Sequence, residues 1–136
     1  MPTKRLPYRT KPSGLLGRVR RPLIDLEIFS HVTQRWITVT DVLVDTGADV
    51  SLVPQHLGQL LVSHVAAGRA VHVRGVAPTR VSVFLHSLRV RLDGKTMRVP
   101  VAIAISNDVP PILGRVRGLD RFNVAFLKGR TLQLAW

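Results

Sequence analysis

The sequence predicts one small, all-β domain, and three observations carry that expectation. Hydrophobic residues make up 46% of the chain and mean hydropathy is +0.18, yet aromatics are only 5%. The core is therefore built from Val, Leu and Ile, which favour pleated, half-buried surfaces. Apolar Ile24, Leu26 and Ile28 alternate with Asp25 and Glu27, the period of a strand with one dry face. Asp93-Gly94 stands between two strand-like runs, a strong short-range hairpin signal. At 136 residues the chain has the length of a single domain.

Taken in order, residues 1–20 hold three prolines, two glycines and scattered cations without apolar periodicity. They are expected to form a basic, disordered leader, with the folded domain at 21–136. Strands are expected at Leu23–Phe29 and Trp36–Val44, as a hairpin that delivers the chain into Asp45. Pro54 punctuates the chain, and Gln55–Val65 reads as a short helix or irregular wall. Ala70–Val73 and Arg80–Val83 flank Arg74-Gly75-Val76-Ala77-Pro78 as a second hairpin. Ser87–Leu92 and Thr96–Ile105 flank Asp93-Gly94 as a third. Ile112-Leu113-Gly114 reads as a short buried strand, Val116–Phe122 as one or two helical turns, and Asn123–Phe126 with Thr131–Trp136 as a last hairpin around Lys128-Gly129. No internal repeat is visible.

Composition excludes several classes. The chain has no cysteine, so disulfides and thiolate metal sites are out. The longest apolar run, Val101–Ile105, is far short of the ~20 residues that span a bilayer. The basic N-terminus lacks the apolar core of a secretory signal. These features lead us to expect a soluble intracellular protein with no membrane partner. His31, His56, His64, His72 and His86 show no metal-ligand spacing, so no metal or other cofactor is expected. Net charge is +12, and seven cations (Lys4, Arg5, Arg9, Lys11, Arg18, Arg20, Arg21) fall in the first 21 residues, which hold no acid. Such an arm is either a solvated leader or a contact for nucleic acid or an acidic partner. With Tyr8 the lone aromatic among those charges, the solvated leader is preferred.

Of eight acids, Asp45 has the setting of a catalytic group. It ends the apolar run Val42-Leu43-Val44 and leads into Thr46-Gly47-Ala48. The strand end offers the carboxylate from a rigid base, Gly47 permits a sharp turn and close approach, and Thr46 brings a hydroxyl. Apolar Val50, Leu52 and Val53 then pin the loop from its far side. Asp-Thr-Gly alone is also an ordinary turn.

The longer pattern Val42-Leu43-Val44-Asp45-Thr46-Gly47-Ala48-Asp49 resembles the active-site signature of retropepsins, the aspartic proteases of retroviruses and retrotransposons. Ile112-Leu113-Gly114-Arg115, 67 residues after Asp45, is similar to the family's second hallmark. Arg21-Pro22-Leu23 resembles the start of its domain, and the hairpin around Gly75 falls where the family carries its flap. The likeness implies a small closed β-barrel with a flap hairpin and one short C-terminal helix. It implies an aspartic endopeptidase with Asp45 as its catalytic carboxylate. Thr46 would knit the loops of two subunits together, and Gly47, Ala48 and Asp49 would lie along the substrate. Arg74, Gly75, Val76 and Ala77 would close over it, Gly114 would support the site, and Arg115 would pair with Asp49 of its own subunit. Arg21 would reach the partner's Asp49. One Asp-Thr-Gly and no repeat imply a homodimer acting on peptide or protein substrates, in the cytoplasm or after release from a viral or retroelement polyprotein.

The flap tip is less glycine-rich than many in the family, and Val116 stands where a capping Asn or Asp is common. A competing reading keeps the fold without the chemistry: a dimeric β module that binds nucleic acid or an acidic partner through residues 1–20.

Overall fold

In the computed structural model, which describes residues 1–74 and 80–136, each predicted hairpin is present. Strands β1 (Thr3–Pro7), β2 (Arg9–Ser13) and β3 (Gly17–Arg21) precede β4 (Leu23–Ser30) and β5 (Arg35–Val44). After β6 (Ser51–Val53) come helix α1 (Gln55–Leu61) and a 3-10 turn at Val65–Ala67. Strands β7 (Arg69–Arg74), β8 (Arg80–Leu92) and β9 (Lys95–Ala104) follow, then β10 (Ile112–Leu113), β11 (Asn123–Leu127) and β12 (Thr131–Ala135).

Six of these close into a barrel. The order β4-β5-β10-β6-β9-β8 returns on itself because β8 also pairs with β4, and β7 hangs on the outer edge of β8. Closure removes the unpaired edges that a small sheet would otherwise expose. Alternation decides the inside: Ile24, Leu26, Ile28, Val42, Val44, Leu88, Val90, Val99, Val101 and Ile103 are all buried in one cluster. A smaller cluster around Val83, Ala102 and Ala104 takes Val71, Val73 and Val81 from the β7–β8 stem and Val50 and Leu52 from the chain beyond Asp45. The stem of the expected flap and the segment that leaves the Asp45 loop therefore pack against one buried cluster.

The β4–β5 ladder contains a bulge. Leu26 faces Val39 whereas Ile24 faces Val42, so β5 carries one extra residue between them. Asp41 adopts φ 55° there, and its N–H donates to Asp25 Oδ1 at 3.2 Å. The extra residue shifts side-chain parity by one. Val42 and Val44 thus enter the core, and Asp45 is set on the opposite side of the strand.

One expectation is corrected. Residues 1–20 are not a disordered leader: they form β1, β2 and β3. Strand β1 pairs antiparallel with β12, from Thr3 opposite Ala135 to Pro7 opposite Thr131, and β2–β3 is a hairpin. Backbone pairing at the edge of β12 and ion pairs to distant acids order this segment, and neither leaves an apolar period to read. The short C-terminal helix expected within Val116–Phe122 is a single 3-10 turn at Leu119–Arg121, and the one α-helix among the described residues is α1. Arg117, just before the 3-10 turn, takes φ 53°, a left-handed conformation that interrupts a right-handed helical run.

Trp136 packs on its own chain, edge-on to Phe122 with ring centres 5.7 Å apart. Arg89, Arg91 and Arg98 stand on the solvent side of their strands as expected. Arg89 lies 4.2 Å over Phe29, and Arg91 lies 4.3 Å over Trp36 while forking onto Glu27. The Arg91 fork holds the Glu27 carboxyl below its usual range. Tip residues Gly75, Val76, Ala77 and Pro78 lie outside the described residues.

Candidate active site

Asp45 leaves the barrel where three chain segments meet. The N–H of Leu43 donates to Pro111 O at 2.9 Å, that of Val44 to Pro22 O at 3.0 Å, and that of Asp45 to Leu113 O at 3.1 Å. Parallel pairing of β5 with β10 sets Ile112 beside Leu43 and Leu113 beside Val44. The base of the loop is thereby fixed by backbone alone, independent of any side chain in it.

Within the loop, Gly47 N–H donates to Asp45 Oδ1 at 2.9 Å and Ala48 N–H to Asp45 O at 3.2 Å. One carboxylate oxygen is oriented and the other makes no hydrogen bond among the described residues. A Cβ at position 47 would sit 3.2 Å from Oδ1, so glycine gives the carboxylate its room. Asp45 is half-buried, while Thr46 and Gly47 are exposed. The Thr46 hydroxyl is exposed and makes no hydrogen bond among the described residues.

A second loop docks on the first. Arg115 N–H donates to Ala48 O and Val116 N–H to Asp49 O, both at 2.9 Å. Gly114 sits under this junction, where an added Cβ would lie 2.5 Å from the Val50 carbonyl carbon and oxygen. Only glycine permits that approach. Its N–H donates to Ser51 Oγ at 3.0 Å. Outside the junction, Arg115 Nη2 donates to Asp49 Oδ1 at 2.5 Å, the pairing that the resemblance implied. Arg21 ends β3, exposed, opposite Arg9, and makes no ion pair among the described residues. Arg74 ends β7 opposite Arg80.

Sequence reasoning missed Ser51. It is buried at 4% exposure and its hydroxyl is the acceptor that holds Gly114. The readable signal was a lone hydroxyl inside the apolar run Val50-Ser51-Leu52-Val53, since a buried hydroxyl needs a partner. Also missed was the ion cluster behind β5. Arg9 Nη1 donates to Asp25 Oδ1 at 2.6 Å and Asp41 Oδ1 at 2.7 Å, and Lys11 Nζ donates to Asp41 Oδ2 at 2.5 Å. The Arg9 hydrogen bond holds the Asp25 carboxyl below its usual range, while Lys11 first and Arg9 second do the same for Asp41. Hydrogen bonds to the same two acids raise the Arg9 pKa.

No group of three or more His, Asp or Glu among the described residues is arranged to hold a metal ion. His86 Nε2 lies 2.7 Å from Val65 O, and His56 lies against Asn107. What the loop offers is a carboxylate at a rigid strand end, with one oxygen oriented and one open, beside an exposed hydroxyl.

Comparison with known proteins places the fold. No protein-family model and no curated protein matches the sequence. Among solved structures, the chain is similar to a retropepsin-like aspartic protease from Rickettsia conorii, with TM-score 0.60 and 16% identity over 98% of this chain and 91% of that one. It also aligns with the EIAV protease solved with an inhibitor, at TM-score 0.44 and 22% identity over 77% of this chain and 88% of that one. The chain has the retropepsin fold.

Proposed function

We propose that this chain is an aspartic endopeptidase whose active site forms between two copies, each supplying Asp45. One observation carries the reading: Asp45 projects from a backbone-pinned strand end, and Asp49, the other acid of its loop, is engaged by Arg115. Aspartic catalysis needs two. In aspartic proteases generally, carboxylates about 3 Å apart cannot both ionise and so share one proton. One then acts as general base on a water while the other protonates the scissile carbonyl. A two-fold axis beside Asp45 supplies both groups from one sequence.

The remaining parts take roles in that frame. Thr46, exposed and open, bonds across the axis. Gly47, Ala48 and Asp49 line the peptide, with Asp49 held by Arg115. Arg21 reaches the partner copy. The β7–β8 hairpin, whose stem shares a buried cluster with Val50, covers the substrate with Arg74, Gly75, Val76 and Ala77. The binding-module reading loses part of its support, because three of its seven cations are engaged: Arg9 and Lys11 by Asp25 and Asp41, and Lys4 at 3.3 Å from Asp93.

The test is inhibition. A peptide mimic bearing a hydroxyl in place of the scissile carbonyl should abolish cleavage with one inhibitor bound per two chains. Cleavage untouched by such a mimic, or one inhibitor bound to each chain, would refute the shared site.

A further inference from the structure

The β2–β3 hairpin pairs with no other strand among the described residues, and its two faces are chemically different. Register places Arg9 opposite Arg21 and Lys11 opposite Val19 on one face, and Thr10 opposite Arg20 and Pro12 opposite Arg18 on the other. On the first face Arg9 and Lys11 bind Asp25 and Asp41, which fasten the hairpin to the barrel. On the second, Arg18 and Arg20 are exposed and meet no carboxylate among the described residues.

The tip between the strands is apolar and ordered. Leu15 is 90% exposed and Leu16 is 67% exposed. Their turn is built to hold them out: Leu16 N–H donates to Ser13 Oγ at 3.1 Å, Arg18 N–H donates to Leu16 O at 2.9 Å, and Gly17 takes φ 75°. Scattered single leucines on a surface need no explanation. Two adjacent ones at the end of a projecting hairpin, with unpaired arginines behind them, form an apolar point with a cationic collar.

We infer that this hairpin is a peripheral membrane anchor, with Leu15 and Leu16 entering the acyl boundary of an anionic bilayer and Arg18 and Arg20 resting on its acidic headgroups. The size of the tip favours a bilayer over a protein partner. Stable protein interfaces bury about 800 Å² per side with matched shape, which two leucines on a tight turn do not offer. A bilayer asks for no shape match. Polar backbone groups in the turn limit insertion to the interface, since unpaired peptide groups are costly in hydrocarbon. The net charge of +12 adds attraction to an anionic surface that salt weakens. No helix among the described residues is long and apolar enough to cross a membrane, so the contact is superficial. This revises the expectation of no membrane partner, which rested on the lack of a span or signal.

The test is sedimentation of the whole chain with vesicles of phosphatidylcholine alone or mixed with phosphatidylserine. Wild type should bind the mixed vesicles, bind phosphatidylcholine weakly, and lose binding as salt rises. Replacing both leucines, Leu15→Ser with Leu16→Ser, should weaken binding about tenfold or more. Arg18→Ser with Arg20→Ser should do the same, at about fivefold per arginine. All four side chains are exposed, so the melting temperature serves as a control that should not move. Equal binding to both vesicle types, no binding, or full binding by either double variant overturns the anchor. If the leucine variant instead alters the oligomeric state of the free protein, the tip faces a second copy and the anchor is likewise overturned.

Discussion

Arg115 Nη2 donates to Asp49 Oδ1 at 2.5 Å across 66 positions of sequence, joining the loop after β10 to the loop after β5. The pair is exposed, at 44% for Arg115 and 77% for Asp49. Its net contribution to stability is therefore at most about 1 kcal/mol. Arg115→Ala should leave urea unfolding nearly unchanged while kcat/KM for peptide cleavage falls, because Asp49 loses its orientation. A large loss of stability would show that the pair is structural instead.

Beneath that pair the junction is unforgiving. Gly114→Ala drives a Cβ to 2.5 Å from the Val50 carbonyl, so the two loops must separate. Overpacking of this kind costs about 1–3 kcal/mol or more. Ser51→Ala should cost about 1–3 kcal/mol by leaving the Gly114 N–H without its acceptor. Denaturant melts of the two variants read both values, and a neutral Ser51→Ala would mean that water replaces the hydroxyl.

Acid should loosen the N-terminal hairpin. Asp25 and Asp41 titrate below their ordinary value in the folded chain because Arg9 and Lys11 bind their charged forms. The unfolded carboxylates titrate near about pH 4. The stabilisation is thus complete above that pH and is lost as pH falls through the lower folded values. Both acids are partly exposed, so the effect is modest. Proteolytic nicking within residues 9–21 should rise as pH drops below about 4. Asp25→Asn with Asp41→Asn should show that nicking at neutral pH and lose the acid dependence. Nicking that is equal in wild type and variant would separate the hairpin from these acids.

The barrel was legible because its strands advertise themselves: alternation at 24–28, a glycine turn at Asp93-Gly94, and an apolar pair at Ile112-Leu113. Asp45 was legible as a carboxylate between two apolar runs, and Asp49–Arg115 through the family resemblance. The N-terminal strands were not. Their order comes from pairing with β12 and from acids found at 25 and 41, so the sequence there shows cations and prolines without a period. The bulge at Asp41 was equally silent. Unbroken alternation from Val39 would place Asp45 on the core side of β5, and one extra residue reverses that. Such a residue is read only from the opposite strand.

The central claim is that two Asp45 carboxylates share the chemistry. Wild type and Asp45→Asn should be incubated side by side with a peptide library between about pH 4 and about pH 7, with the oligomeric state of each measured in parallel. Asparagine keeps the shape of the loop and removes the shared proton. The account predicts cleavage by the wild type, a loss of about a thousandfold or more in the variant, and dimers for both. Equal cleavage by the two proteins, or cleavage by neither with dimers intact, would contradict it.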